Sequence, residues 1–123
     1  MRKRISVRFL LLFATCLCLN ALAQSTARAP LDCSTGPLTR SFGAVPWLVY
    51  GCSDNKSVVV MSAPGSPAAP FYFMLFQKEG KYVVVGEGTG PKQVTDRAYA
   101  ELVRLTEPEI RVLLASAKQA AKK

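Results

Sequence analysis

The sequence predicts an α+β domain: a small antiparallel sheet of three to four strands, arranged as two hairpins, packed against two C-terminal helices. Three observations point there. The β-branched and aromatic runs are short and lie between Pro46 and Val85. Segments rich in Gly, Pro, Ser and Asn separate them. Beyond Lys92 the apolar residues recur at helical spacing. Strands followed by helices, rather than alternating with them, make an α+β chain with an antiparallel sheet.

The 123 residues allow one small domain, and its first part reads as a leader. Arg2, Lys3, Arg4 and Arg8 precede an apolar run from Phe9 to Leu19, and Ala21-Leu22-Ala23 ends it with small residues at the positions a signal peptidase reads. The run is shorter than the about 20 apolar residues that span a bilayer, and no second one follows, so no transmembrane segment is expected after cleavage. Residues 1–23 are therefore expected to be a signal peptide, 24–32 a disordered lead-in, and 33–123 the domain. Export to the periplasm or the medium follows, with the bacterial envelope the favoured setting.

Removing the leader leaves 12 Lys and Arg against 8 Asp and Glu, a net charge of +4. Lys118, Lys122 and Lys123 supply most of that excess, at the end of a helix where cations complement its dipole. A charge confined to a tail is not a nucleic-acid footprint, so no nucleic-acid partner is expected. Cys16 and Cys18 leave with the leader. Cys33 and Cys52 remain, and an exported pair is expected to form a disulfide around 18 intervening residues.

The first strand is expected at Pro46-Trp47-Leu48-Val49-Tyr50. The turn Ser53-Asp54-Asn55-Lys56 leads to a second, Ser57 to Ser62, which is rich in Val. Ala63 to Pro70 carries three prolines in eight residues and must be a stiff loop. Phe71 to Gln77 and Tyr82 to Val85 form a second hairpin across Lys78-Glu79-Gly80-Lys81. Its strands are apolar on both faces, which requires helices on one side and the N-terminal segment or a partner on the other. Val94, Ala98, Leu102 and Leu105 make the stripe of a first helix, with Thr95 or Asp96 as its cap. Thr106-Glu107-Pro108-Glu109 reads as a capping box for a second, with Ile110, Leu113, Leu114 and Ala117 buried and Lys118 to Lys123 frayed.

The chain has no His, which removes Ser-His-Asp and Cys-His centres, His-ligated zinc and imidazole general bases. Two cysteines without His make a poor metal site, and neither metal nor cofactor is expected. Of the carboxylates outside the leader, only Asp54 and Glu87 lack an evident structural role, and nothing brings the two together as a glycosidase pair requires. Gly86-Glu87-Gly88-Thr89-Gly90-Pro91-Lys92 sits between strand and helix, as phosphate-cradling loops do. Its G-x-G-x-G spacing departs from the G-x-G-x-x-G pattern, which makes a simple glycine-rich connection the leading explanation. Gly86, Gly88, Thr89, Gly90 and Lys92 are the anion-binding candidates, and a weak carboxylate-dependent enzyme would use Glu87 with Thr89 or Lys92.

The favoured reading is a non-catalytic exported binding module, an inhibitor or accessory of another exported or envelope protein. Its candidate contact residues are Trp47, Tyr50, Phe71, Tyr72 and Phe73, with burial in the core the competing fate of Trp47. An envelope-associated or self-assembling component is the alternative.

Overall fold

The computed structural model describes residues 30–123. The expected signal peptide, and residues 24–29 of the expected lead-in, lie outside the described residues. Strands β1 (Thr35–Phe42), β2 (Val45–Gly51), β3 (Val58–Ser62), β4 (Phe71–Lys78) and β5 (Lys81–Gly88) form one antiparallel sheet in sequence order. Helices α1 (Lys92–Leu102) and α2 (Glu107–Ala121) follow. The α+β class holds, and β2–β3 and β4–β5 are the two expected hairpins.

The sheet has five strands instead of three to four. The additional one, β1, runs through Gly36 and Pro37, residues that weaken a strand, and the pairing with β2 shifts register between Thr35 and Leu38. An edge position tolerates this, because one side of the strand needs no ladder donors. Gly43-Ala44 and Glu79-Gly80 close the first and last hairpins as two-residue turns with positive φ at both central positions. Such turns match the right-handed twist of the flanking strands.

Side chains alternate along each strand, and the pairing aligns the inward set. Trp47, Val49, Val58, Val60, Phe73 and Leu75 point one way and are buried together with Ala98 and Leu102 of α1 and Ile110, Leu113 and Leu114 of α2. Trp47 is 0% exposed, its indole N–H donating to the Phe42 carbonyl at 3.0 Å and its ring 5.2 Å from that of Phe73. The apolar body is thereby buried without stranding its one polar group.

The second helix follows its sequence closely. The Thr106 hydroxyl accepts from the Glu109 N–H at 3.4 Å, and the Glu109 carboxylate accepts from the Thr106 N–H at 2.7 Å. Ile110, Leu113, Leu114 and Ala117 are buried. The helix continues to Ala121, so Lys118 lies in its last turn rather than in a frayed tail. The first helix departs from expectation. It starts after Pro91 with no side-chain cap, four residues before the expected cap Thr95 and five before Asp96. Thr95 is instead buried within it, its hydroxyl donating to the Lys92 carbonyl at 3.3 Å. Proline already holds the φ a helix start needs and has no N–H to satisfy. The Glu101 carboxylate accepts from the Gly43 N–H at 2.9 Å and ties α1 to the first turn. Arg111 and Glu107 make the i,i+4 ion pair on α2.

The N-terminal segment is fastened to the β2–β3 turn. Cys33 and Cys52 form the expected disulfide, and Asp32 exchanges two hydrogen bonds with Ser53. Within the turn, Asp54 Oδ1 accepts from the Lys56 and Ser57 N–H groups at 2.9 and 2.8 Å, and Oδ2 accepts from the Ser57 hydroxyl at 2.6 Å. Burial pushes the Asp54 carboxyl up, but the Ser57 and Lys56 donors outweigh it and hold the group below its ordinary value.

Two outcomes follow for stability. Replacing Cys33 and Cys52 by Ala removes a cross-link across 18 residues and is expected to cost about 3 kcal/mol in urea unfolding. Asp54→Asn is expected to cost roughly 1 kcal/mol near neutral pH, because the acceptor charge is lost. A depressed carboxyl stabilises the fold above its unfolded value of 3.8 and stops doing so as pH falls through the lower folded value. The gap between wild type and Asp54→Asn in urea midpoints should therefore close on acidification below that range. A gap independent of pH would contradict the assignment.

Candidate functional site

The side of the sheet opposite the core also carries apolar side chains. The register sets its outward residues in rows across the strands. Leu48, Met61, Tyr72 and Glu87 form the first; Tyr50, Val59, Met74 and Val85 the second; Phe76 and Val83 the third; Lys78 and Lys81 the fourth. Met61, Tyr72 and Val85 are 43%, 38% and 42% exposed, and both helices pack on the other side. Among the described residues no helix or strand covers these rows. Soluble monomers rarely leave a contiguous apolar surface of this kind open.

At the first row the proline-rich loop borders the sheet and makes a groove of about 480 Å³. Its walls are mostly apolar, including Met61, Pro64, Pro70 and Phe71, and the Tyr72–Glu87 pair lies among its polar lining with Ser62 and Thr89. The Tyr72 hydroxyl donates to Glu87 Oε2 at 2.8 Å. That hydrogen bond, and then the carboxylate's charge, raise the Tyr72 phenol above its ordinary value, since ionising it would place two negative charges side by side. Glu87 thus has a local partner that the sequence did not reveal.

The five candidate contact residues divide by register. Tyr72 is exposed on the open face and Tyr50 is half-buried on it. Trp47 and Phe73 point into the core, and Phe71 is half-buried with its ring 4.9 Å from that of Phe73. Alternation makes this division inevitable for the consecutive residues Phe71, Tyr72 and Phe73. The open face also contains Leu48, Val59, Met61, Met74, Val83 and Val85, which the sequence reading did not single out. The signal for Met74, Val83 and Val85 was present in the two-faced apolarity of the second hairpin; Leu48, Val59 and Met61 lie on β2 and β3, outside it.

The glycine-rich segment is built differently from the expected connection. Strand β5 extends through Gly86, Glu87 and Gly88 instead of ending at Val85. A Cβ on Gly86 would lie 2.8 Å from the Phe71 ring and 2.9 Å from that of Phe73, and one on Gly90 would strike the Ala68 carbonyl. The Thr89 and Gly90 N–H groups both donate to the Pro70 carbonyl at 3.0 Å. Phosphate cradles use free amides at such a place, whereas here two of them anchor the proline-rich loop to the end of β5. Gly88 and Thr89 line the groove with Glu87; Lys92 lies in the first turn of α1 and does not. Among the described residues no three His, Cys, Asp or Glu side chains gather as a metal site. No described helix is long and apolar enough to cross a membrane.

Compared with known proteins, the chain matches no family model, no curated protein and no solved structure.

Substitution Glu87→Gln should lower the Tyr72 ionisation toward the ordinary phenol range in a spectrophotometric titration, with Tyr72→Phe identifying the band. An unchanged titration curve in Glu87→Gln would mean that the pair does not form in solution.

Proposed function

We propose that the protein is a non-catalytic exported binding module whose docking surface is the open face of its sheet. One observation carries this reading: two helices cover only one side of a five-stranded sheet, and the other side presents Leu48, Tyr50, Val59, Met61, Tyr72, Met74, Phe76, Val83 and Val85. Burying such a surface against another protein recovers about 25 cal/mol for each Å² of apolar area removed from water. Tyr and Met suit contact centres, since a ring supplies area at little entropic cost and a thioether adapts to its partner.

The disulfide and the leader-like residues 1–23 support an exported partner, in the envelope or outside the cell. Catalysis by Glu87 is the weaker reading. Its carboxylate is held by the Tyr72 hydroxyl, and four other acids have structural duties: Asp54 in its turn, Glu101 on Gly43, Glu107 and Glu109 at the start of α2.

Site-directed photo-crosslinking in the exporting cell tests the reading. A photoreactive residue at Met61, Tyr72 or Val85 is expected to give protein adducts, while the same residue at the exposed Ala115 of α2 gives none. Equal labelling from all four positions, or none from the sheet, would remove the basis for a docking face.

A further inference from the structure

Whatever docks on the first row of the open face must cover Glu87. Of the residues that line the groove, Glu87 alone carries a charge, and it is the one acid in the four outward rows. Among the described residues it has no ion-pair partner, the one pair being Arg111 with Glu107. Lys78 and Lys81, the cations of the same face, lie six residues along their strands from the Tyr72–Glu87 row, about 20 Å away. The Tyr72 hydroxyl satisfies one carboxylate oxygen, but a neutral donor does not cancel the charge. An apolar partner laid across this row would strip water from the carboxylate and leave it uncompensated, which is strongly unfavourable. Covering the row therefore requires a cation from the partner.

The groove also decides which cation fits. Its volume of about 480 Å³ is within the range of small-ligand sites. Met61, Ala63, Pro64 and Pro70 give an aliphatic channel beside the carboxylate, which suits the stem of a long cationic side chain. The Tyr72 ring suits a planar guanidinium, which is less strongly hydrated than an ammonium and stacks on aromatic rings. The walls are set before anything binds. The Pro70 carbonyl accepts from the Thr89 and Gly90 N–H groups, and the Ser62 hydroxyl accepts from the Phe71 N–H at 3.1 Å. Loop and sheet are thus tied together, and little ordering is left for a ligand to impose.

We infer that the groove receives an arginine side chain of a partner protein, its stem along Met61 and the prolines and its guanidinium on the Glu87 carboxylate beside the Tyr72 ring. The inference rests on the reading of the open face as a docking surface and names the group that a partner must bring to it.

The probe is N-acetylarginine N′-methylamide, followed through the amide chemical shifts of the disulfide-bonded protein. It should bind at low salt with a dissociation constant of roughly 1 mM and shift the amides of Met61, Tyr72, Glu87 and Thr89. The citrulline analogue, similar in shape and neutral, should bind about tenfold more weakly, and so should the arginine probe to Glu87→Gln. The lysine analogue should bind about threefold more weakly than arginine. Glu87 is exposed, and unchanged shifts outside the groove will show that Glu87→Gln folds. In the exporting cell, Glu87→Gln should cut the crosslinks formed from Val85, which lies outside the groove, about tenfold.

No binding up to about 20 mM overturns the inference, as does equal binding of the arginine probe and either analogue. Binding that appears only in Arg28→Gln would mean that this chain's own arginine fills the groove, and overturns the assignment to a partner. Val85 crosslinks undiminished by Glu87→Gln also overturn it, while leaving the docking face intact. Absence of adducts from every position on the sheet removes the docking reading, and the partner with it.

Discussion

A sheet of five strands has two faces, and this chain has helices for one. That constraint organises the molecule. The inward set, led by Trp47, Phe73 and Leu75, is closed by α1 and α2 into a core in which the Trp47 indole N–H is matched to a backbone carbonyl. Both helices follow the last strand in sequence, and each reaches the same side: α2 packs on β1 and β2, and α1 touches β1 and β5. With short connections at Thr89 to Pro91 and Val103 to Thr106, no described helix is left to cross to the other side. The outward rows therefore remain open although their residues resemble core residues in type.

The groove end shows how the same constraint is handled locally. A proline-rich loop cannot supply ladder donors, so the Pro70 carbonyl takes donors from the chain on the far side of the hairpin, at Thr89 and Gly90. Close approach of the two segments leaves no space for side chains at Gly86 and Gly90. The glycines are thus accounted for by packing against Phe71, Phe73 and Ala68. What resembled a ligand loop is the seam that fixes the edge of the apolar groove, and its chemistry is spent on the fold.

Legibility in the sequence followed how local each determinant is. Helix α2 was readable from its cap to Ala117 because its capping box and its stripe of Ile110, Leu113, Leu114 and Ala117 lie within one segment. The second hairpin was readable from its two-residue turn. Strand β1 was not, because Gly36 and Pro37 argue against a strand and only pairing with β2 overrides them. The end of β5 was misplaced for the same reason: Gly86 and Gly88 have poor strand propensity, and their partners Phe73 and Phe71 hold them in the ladder. The site depended on register. Phe71, Tyr72 and Phe73 are equivalent as letters, and a shift of one residue would exchange the core ring for the surface ring.

Where the apolar surface lies also decides how the protein can associate. Sheet edges are the usual hazard, since unpaired N–H and C=O groups accept any extended chain. Here the β1 edge is broken by Pro37 and by the register shift beside it, and the β5 edge begins with Lys81 and ends in Gly88 at φ +139°. Both features impede addition of a further strand, which needs a regular ladder and tolerates buried lysine poorly. The open face carries no comparable obstruction across its two central rows. Contact is thereby directed from the edges, where growth has no natural end, to a face, where one partner fills the available area and closes it.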